Sequence, residues 1–261
     1  MRILRTTVAA ALLAAPFIAY TLPTAAFAAA EDATKNDTQI LREAHSKLKN
    51  KRFSGVQIAV QSGVVTLSGS VPLYADKQDA EKSVAKIKKL VSVMNDIQVQ
   101  AGESSDQQLA DRIGKQLAYD RVGYGNAFNA ITVSVNNGVA TLGGHALGPV
   151  AKESALNLAK RTPGVQNVVD KIQVDPLSPM DDQLRVRVAR TVYGYPSLNK
   201  YAINPANPIR ITVINGHVIL SGVVDNQADK NVAGIQANTV PGVFSVTNNL
   251  QVAGQPEEKR Q

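Results

Sequence analysis

Apolar residues recur four apart in three separate windows of the chain: Ile40, Ala44 and Leu48; Leu109, Ile113 and Leu117; Leu184, Val188 and Val192. That spacing holds one stripe of an α-helix against a core. Each window opens on an aspartate, Asp37, Asp106 or Asp181, a residue type suited to capping a helix N-terminus. The third window contains Arg185-Val-Arg-Val188, which alone reads as an alternating strand. Its register with the other two windows predicts a helix instead.

After each helix the period changes from four to two. Ile58 and Val60 precede Ser62-Gly63, with Val65 and Leu67 behind it. Val133 and Val135 precede Asn137-Gly138, followed by Ala140 and Leu142, and Ile211 and Val213 precede Asn215-Gly216, followed by Val218 and Leu220. Asn-Gly favours a two-residue type I′ turn, because both positions need positive φ. The four apolar positions around each turn then share one sheet face, the core face. Gly63, Gly138 and Gly216 are the structural turn residues of three hairpins. A second helix is predicted over Tyr74–Lys89, Val150–Arg161 and Gln227–Thr239, stopped in two cases by Pro163-Gly164 and Pro241-Gly242. A closing strand carries Ile97-Gln-Val99, Ile172-Gln-Val174 and Leu250-Gln-Val252.

These elements form a repeat. Gly63-Val-Val-Thr-Leu67-Ser-Gly69 returns as Gly138-Val-Ala-Thr-Leu142-Gly-Gly144 and as Gly216-His-Val-Ile-Leu220-Ser-Gly222, at intervals of 75 and 78 residues. The closing Ile/Leu-Gln-Val follows each first glycine by 34 residues in all three. The fold class is α+β: three tandem two-layer domains, each helix–strand–strand–helix–strand, with two helices on one face of a three-stranded sheet. The domains span residues 37–100, 106–174 and 181–252, with linkers at 29–36, 101–105 and 175–180 and a polar tail at 253–261. Pro176 and Pro179 stiffen the last linker.

The N-terminus reads as a secretory signal peptide, residues 1–28. Arg2 and Arg5 precede an apolar run from Val8 to Tyr20, and Ala26-Phe27-Ala28 supplies an A-x-A cleavage site, with Ala30 an equally good end. The exported chain is expected in the periplasm. Composition adds exclusions. The 261 residues contain no Cys, which rules out disulfides, thiolate metal sites and a Cys nucleophile. The net charge is +7, and export leaves little access to nucleic acid, so the basic balance points to an anionic envelope surface or to solubility.

The order of elements, the glycine-turned V-x-V-x-x-G-x-V-x-L-x-G hairpin and the Pro-Gly-Val ending resemble the BON domain, named for bacterial osmotically induced and nodulation proteins. The resemblance covers Asp37 to Val252 as three copies. The first departs where Lys88-Lys89 replaces Pro-Gly, and the second and third carry insertions before the hairpin. The resemblance implies a periplasmic, non-enzymatic module tied to envelope integrity and osmotic stress. Some members contact anionic phospholipid and others assemble into ring-like complexes.

Catalysis finds no repeated group. His45, His145 and His217 fall at unrelated positions of their repeats, and neither a G-x-S-x-G elbow nor an H-E-x-x-H pair is present. No catalytic, cofactor or metal site is expected. Binding has three candidates. The first repeat carries 10 Lys/Arg against 6 Asp/Glu, gathered at two helix ends: Lys47, Lys49, Lys51 and Arg52, then Lys82, Lys86, Lys88 and Lys89. These cations offset helix dipoles and aid solubility, or they dock to anionic headgroups at about 1 kcal/mol each. The insertions hold Tyr119, Tyr124, Phe128, Tyr193, Tyr195 and Tyr201, with Asn204-Pro205 and Asn207-Pro208 extending the second. These rings cap small cores, or they form a recognition edge for a partner. Finally, the sheet face away from the helices carries Ala59, Gln61, Val64 and Thr66 in the first repeat and Ser134, Asn136, Val139 and Thr141 in the second, but the more apolar Thr212, Ile214, His217 and Ile219 in the third. That favours burial against another repeat or self-association. The reading is a non-enzymatic scaffold contacting anionic phospholipid or another envelope surface; the alternative is an assembly module with no lipid affinity.

Overall fold

The computed structural model describes residues 24–119, 125–203 and 208–254. Residues 1–23, within the expected signal peptide, Tyr124, the 204–207 segment and the end of the expected polar tail lie outside the described residues. The first repeat consists of α1 (Thr24–Lys47), β1 (Val56–Gln61), β2 (Val64–Val71), α2 (Tyr74–Val84), β3 (Ser92–Asn95) and β4 (Gln98–Val99). The second runs α3 (Asp106–Ala118), β5 (Ala130–Asn136), β6 (Val139–Ala146), α4 (Pro149–Lys160), β7 (Asn167–Asp170) and β8 (Gln173–Val174). The third runs α5 (Pro179–Gly194), the short α6 (Lys200–Ile203), β9 (Arg210–Ile214), β10 (His217–Val224), α7 (Gln227–Asn238) and β11 (Ser245–Val252). Residues 29–36, read as a linker, are thus helical, and α5 begins inside 175–180.

Each sheet is built around its second strand. β2, β6 and β10 pair antiparallel with the strand before them across the hairpin and parallel with the closing strand. Ser62, Asn137 and Asn215 take φ of 51°, 48° and 50°, each followed by a glycine with positive φ, as a type I′ turn requires. The closing strand is continuous only in the third repeat. In the others it breaks before a buried isoleucine, Ile97 or Ile172, whose amide donates to the Asn95 or Asp170 side chain, a bond that Leu250 also makes to Asn248 in the continuous strand. The two short pieces on either side both pair with the central strand. α5 is helical through Arg185–Val188, so the repeat register overrides the local alternation.

The second helix of the first repeat is shorter than its sequence pattern suggests. It ends at Val84 rather than at Lys89. Ile87 must turn back into the core, and Lys89 adopts φ 63° at the position where Gly164 and Gly242 take 97° and 96°. A lysine therefore performs the left-handed stop that glycine performs in the other two repeats.

The apolar residues gather into three cores, one per repeat. The third core has a visitor. Phe128, from the insertion of the second repeat, is 6% exposed and packs among the third repeat's buried residues.

Candidate functional site

One side-chain arrangement occurs in all three repeats. The Asp37 carboxylate accepts the amides of Ser62 and Gly63, both at 2.7 Å. Asp106 accepts those of Asn137 (2.7 Å) and Gly138 (2.9 Å), and Asp181 those of Asn215 and Gly216, both at 2.9 Å. Two successive positive-φ residues turn their N–H groups toward one point, a concavity that favours an anion. The chain fills it with its own carboxylate. The three aspartates therefore are not helix caps, as their position suggested. Ser105 caps α3, its own amide donating in return to the Gln108 side chain, and Ser178 caps α5, while Asp37 lies within α1. Each aspartate ties its helix to its hairpin.

The cations of the first repeat divide. Arg52 is committed: its guanidinium bonds Asp76 at 3.1 Å and Asp79 at 2.8 Å and lies 4.6 Å from the Phe53 ring centre. Asp76 stands seven residues after Gly69, as Asp229 does after Gly222. Asp229 receives Lys200 at 2.9 Å and the Tyr201 hydroxyl at 2.7 Å. Two repeats thus share a buried aspartate at the start of the second helix, strutted by a cation from the short helical turn before the hairpin, and Ala151 takes its place in the second repeat. Burial works to raise the Asp229 pKa, but the bonds from Lys200, Tyr201 and Ser197 prevail and hold it below the usual carboxylate range.

Lys47, Lys49, Lys51, Lys82, Lys86, Lys88 and Lys89 are exposed, and none of their side chains makes a hydrogen bond or ion pair within the described residues. They do not form one patch. Lys47, Lys49 and Lys51 lie beside Arg52, which reaches the first turn of α2. Lys82 to Lys89 follow from the last turn of α2 toward the hairpin tip, where Val91 donates to the Gly63 carbonyl. The eleven residues of α2 separate the groups by about 16 Å.

The aromatic insertions mostly face inward. Tyr201 is buried, its hydroxyl also accepting the Asp225 amide at 2.8 Å. Tyr193 is half-buried and donates to the Ile209 carbonyl, and burial pushes its hydroxyl pKa well up. Tyr119 and Tyr195 remain exposed. On the third sheet's outer face, Thr212 is 1% exposed, Ile214 and Ile219 are half-buried and His217 is exposed. β9 is buried on both faces where β1 and β5 alternate, which accords with Phe128 packing beside it.

A polar group joins the second and third repeats. His145 Nδ1 lies 3.1 Å from Asp175, which is 3.5 Å from Arg185. Arg185 is 2% exposed; it also bonds Asp182 and the Val213 carbonyl, and its guanidinium carbon sits 6.0 Å from the Phe128 ring centre. Burial pushes the Asp175 carboxyl up, against the pull of His145 and Arg185. Sequence reasoning missed this group because its members belong to different repeats. His217 meets only Ser245, at 2.8 Å, and the T-shaped ring of Phe244. Among the described residues no three His, Asp or Glu side chains gather as metal ligands, and no helix is long and apolar enough to cross a membrane.

The sequence model of the BON domain matches residues 36–101, 105–176 and 181–254. Osmotically-inducible protein Y of Escherichia coli (strain K12) is 33% identical over 122 residues, 46% of this chain and 61% of that protein. Among solved structures, the C-terminal domain of CdsD, the structural protein of the Type III secretion system of Chlamydia trachomatis, aligns with 83% of this chain and 98% of its own length. That alignment has 15% identity and a TM-score of 0.22. The PrgH periplasmic domain aligns with 79% of this chain and 98% of its own, with 10% identity and a TM-score of 0.22. At that score neither carries an argument about this chain.

Proposed function

Because the chain belongs to the BON domain family in three tandem copies, we propose that it is a non-enzymatic periplasmic scaffold that docks on anionic phospholipid through its first repeat. The similarity to an osmotically inducible protein supports a role in the envelope under osmotic stress. The observation that carries the docking is the set of seven exposed lysines with no acidic partner among the described residues. Exposed lysines also serve solubility, whereas an anionic leaflet attracts each nearby lysine by about 1 kcal/mol. Arg52 contributes to the fold instead, and Phe128 and Tyr201 serve cores. Tyr195, Ile214 and Ile219 are left as the contacts for a protein partner.

Vesicle co-sedimentation tests the reading. Binding to phosphatidylglycerol vesicles should fall steeply with salt and be absent with phosphatidylcholine. Charge reversal at Lys47, Lys49 and Lys51, compared with reversal at Lys82, Lys86, Lys88 and Lys89, shows which end of the first repeat docks. Equal binding to both lipids, or to neither, removes the proposal. The N-terminus of protein recovered from the periplasm, read by mass spectrometry, checks cleavage after Ala28 or Ala30.

A further inference from the structure

We propose that the second repeat is a dimerisation edge, at which two molecules pair β5 with β5 antiparallel across a twofold axis beside Val133 and Gly114. In the type I′ hairpin, Asn136, Ser134 and Thr132 face Val139, Thr141 and Gly143 as hydrogen-bonded pairs. The alternate residues Ile131, Val133 and Val135 then turn their N–H and C=O groups outward along an edge to which no described strand hydrogen-bonds, although β9 comes close to β5, an invitation to another strand.

The third repeat closes the same edge with its own side chains. Arg185 bonds the Val213 carbonyl at 3.0 Å, and Tyr193 bonds the Ile209 carbonyl. Counted from their aspartates, the corresponding residues of the second repeat are Ala110 and Ala118, with Gly114 between them. None of these has a donor. The first repeat places the bulkier Leu41, His45 and Lys49 there. The second repeat leaves a groove of about 820 Å³ between its first helix and its edge strand, running from Asp106 to Ala118 on α3 and along Val133–Val135.

A second molecule fits this groove by symmetry and by charge. A Cβ placed on Gly114 would lie 3.9 Å from Val133 Cγ1, so the middle of the small-residue run adjoins the middle of the open edge. One axis there sets Val133 against Val133 and Ile131 against Val135 of the partner subunit, and all three outward amides and carbonyls find partners. The same axis brings α3 against its mate, Gly114 to Gly114, where the half-buried Ala110 and Gly114 permit close approach. Exposed Asp111 and Lys115 flank the axis, so each faces the opposite charge across it.

Light scattering of the full chain over micromolar to millimolar concentration should show the mass doubling. Amide exchange at Ile131, Val133 and Val135 should slow several-fold as the dimer forms. Ala110→Arg with Ala118→Tyr transplants the third repeat's plug and should abolish the dimer while leaving the far-ultraviolet circular dichroism unchanged. Should that variant not fold, the charges still decide: Asp111→Lys alone should weaken the dimer at least tenfold, and adding Lys115→Asp should restore it. A chain that stays monomeric throughout, a dimer indifferent to the plug, failure of the charge swap to restore pairing, or capture of an extended peptide by a monomer would each overturn the proposal. None of these outcomes depends on vesicle binding, so this interface and the lipid reading can fail separately.

Discussion

A carboxylate buried against two backbone amides is difficult to replace. Asp181 is 5% exposed and holds Asn215 and Gly216. Hydrogen bonds to a charged group contribute about 1.5–3 kcal/mol each, and removing their acceptor leaves donors unmet. Asp181→Ala should therefore cost roughly 3 kcal/mol, and Asp181→Asn, which keeps one acceptor, distinctly less. Urea unfolding would reveal the difference, and equal losses would mean that the turn does not need the charge. Asp229 makes a different, pH-dependent contribution. Its folded pKa lies below the ordinary value, so its stabilisation is complete above the usual carboxylate range and is lost as pH falls through the folded value. As pH falls below the ordinary carboxylate range the wild type should lose stability more steeply than Asp229→Asn. Parallel slopes would count against the Lys200–Tyr201 strut.

At the scale of elements, the end of α2 is the informative case. Lys89 holds a left-handed conformation that costs a side-chain-bearing residue about 1–2 kcal/mol, part of which glycine returns as backbone entropy on unfolding. Lys89→Gly should raise stability by about 0.5–1 kcal/mol, visible as a higher melting temperature; a decrease would show that the lysine side chain supports the turn. The second and third hairpins were legible because Asn-Gly is a local signal, the first, turned at Ser62-Gly63, and α5 because of the repeat register, which exposed the misleading Arg185–Val188 alternation. The early end of α2 was not legible, since without Pro-Gly nothing local marks Lys89 as the stop. Nor was the role of the opening aspartates. A helix cap and a clamp on a hairpin 26 to 35 residues later ask for the same residue type at nearly the same place. Arg52 counted as a surface cation because its partners, Asp76 and Asp79, lie beyond the intervening hairpin.

For the whole molecule, Phe128 decides how separable the repeats are. Truncating a buried phenylalanine costs about 3–5 kcal/mol in a closed core. Phe128→Ala should therefore lower protection from amide exchange in β9 and β10 of the third repeat more than in β5 and β6 of its own. Equal loss in both would mean the ring supports its own loop. The two repeats share the His145–Asp175–Arg185 group at the same junction, whereas the first two meet through contacts such as Gln166 to the Gln100 carbonyl at 3.3 Å. The direction of that dependence also bears on biogenesis. A polypeptide emerges amino end first, so the aromatic side chain is born before the pocket that shelters it. Until α5 and the last hairpin exist, the nascent protein presents a greasy ring with nowhere to go, which a holding factor or a neighbouring chain would meet first.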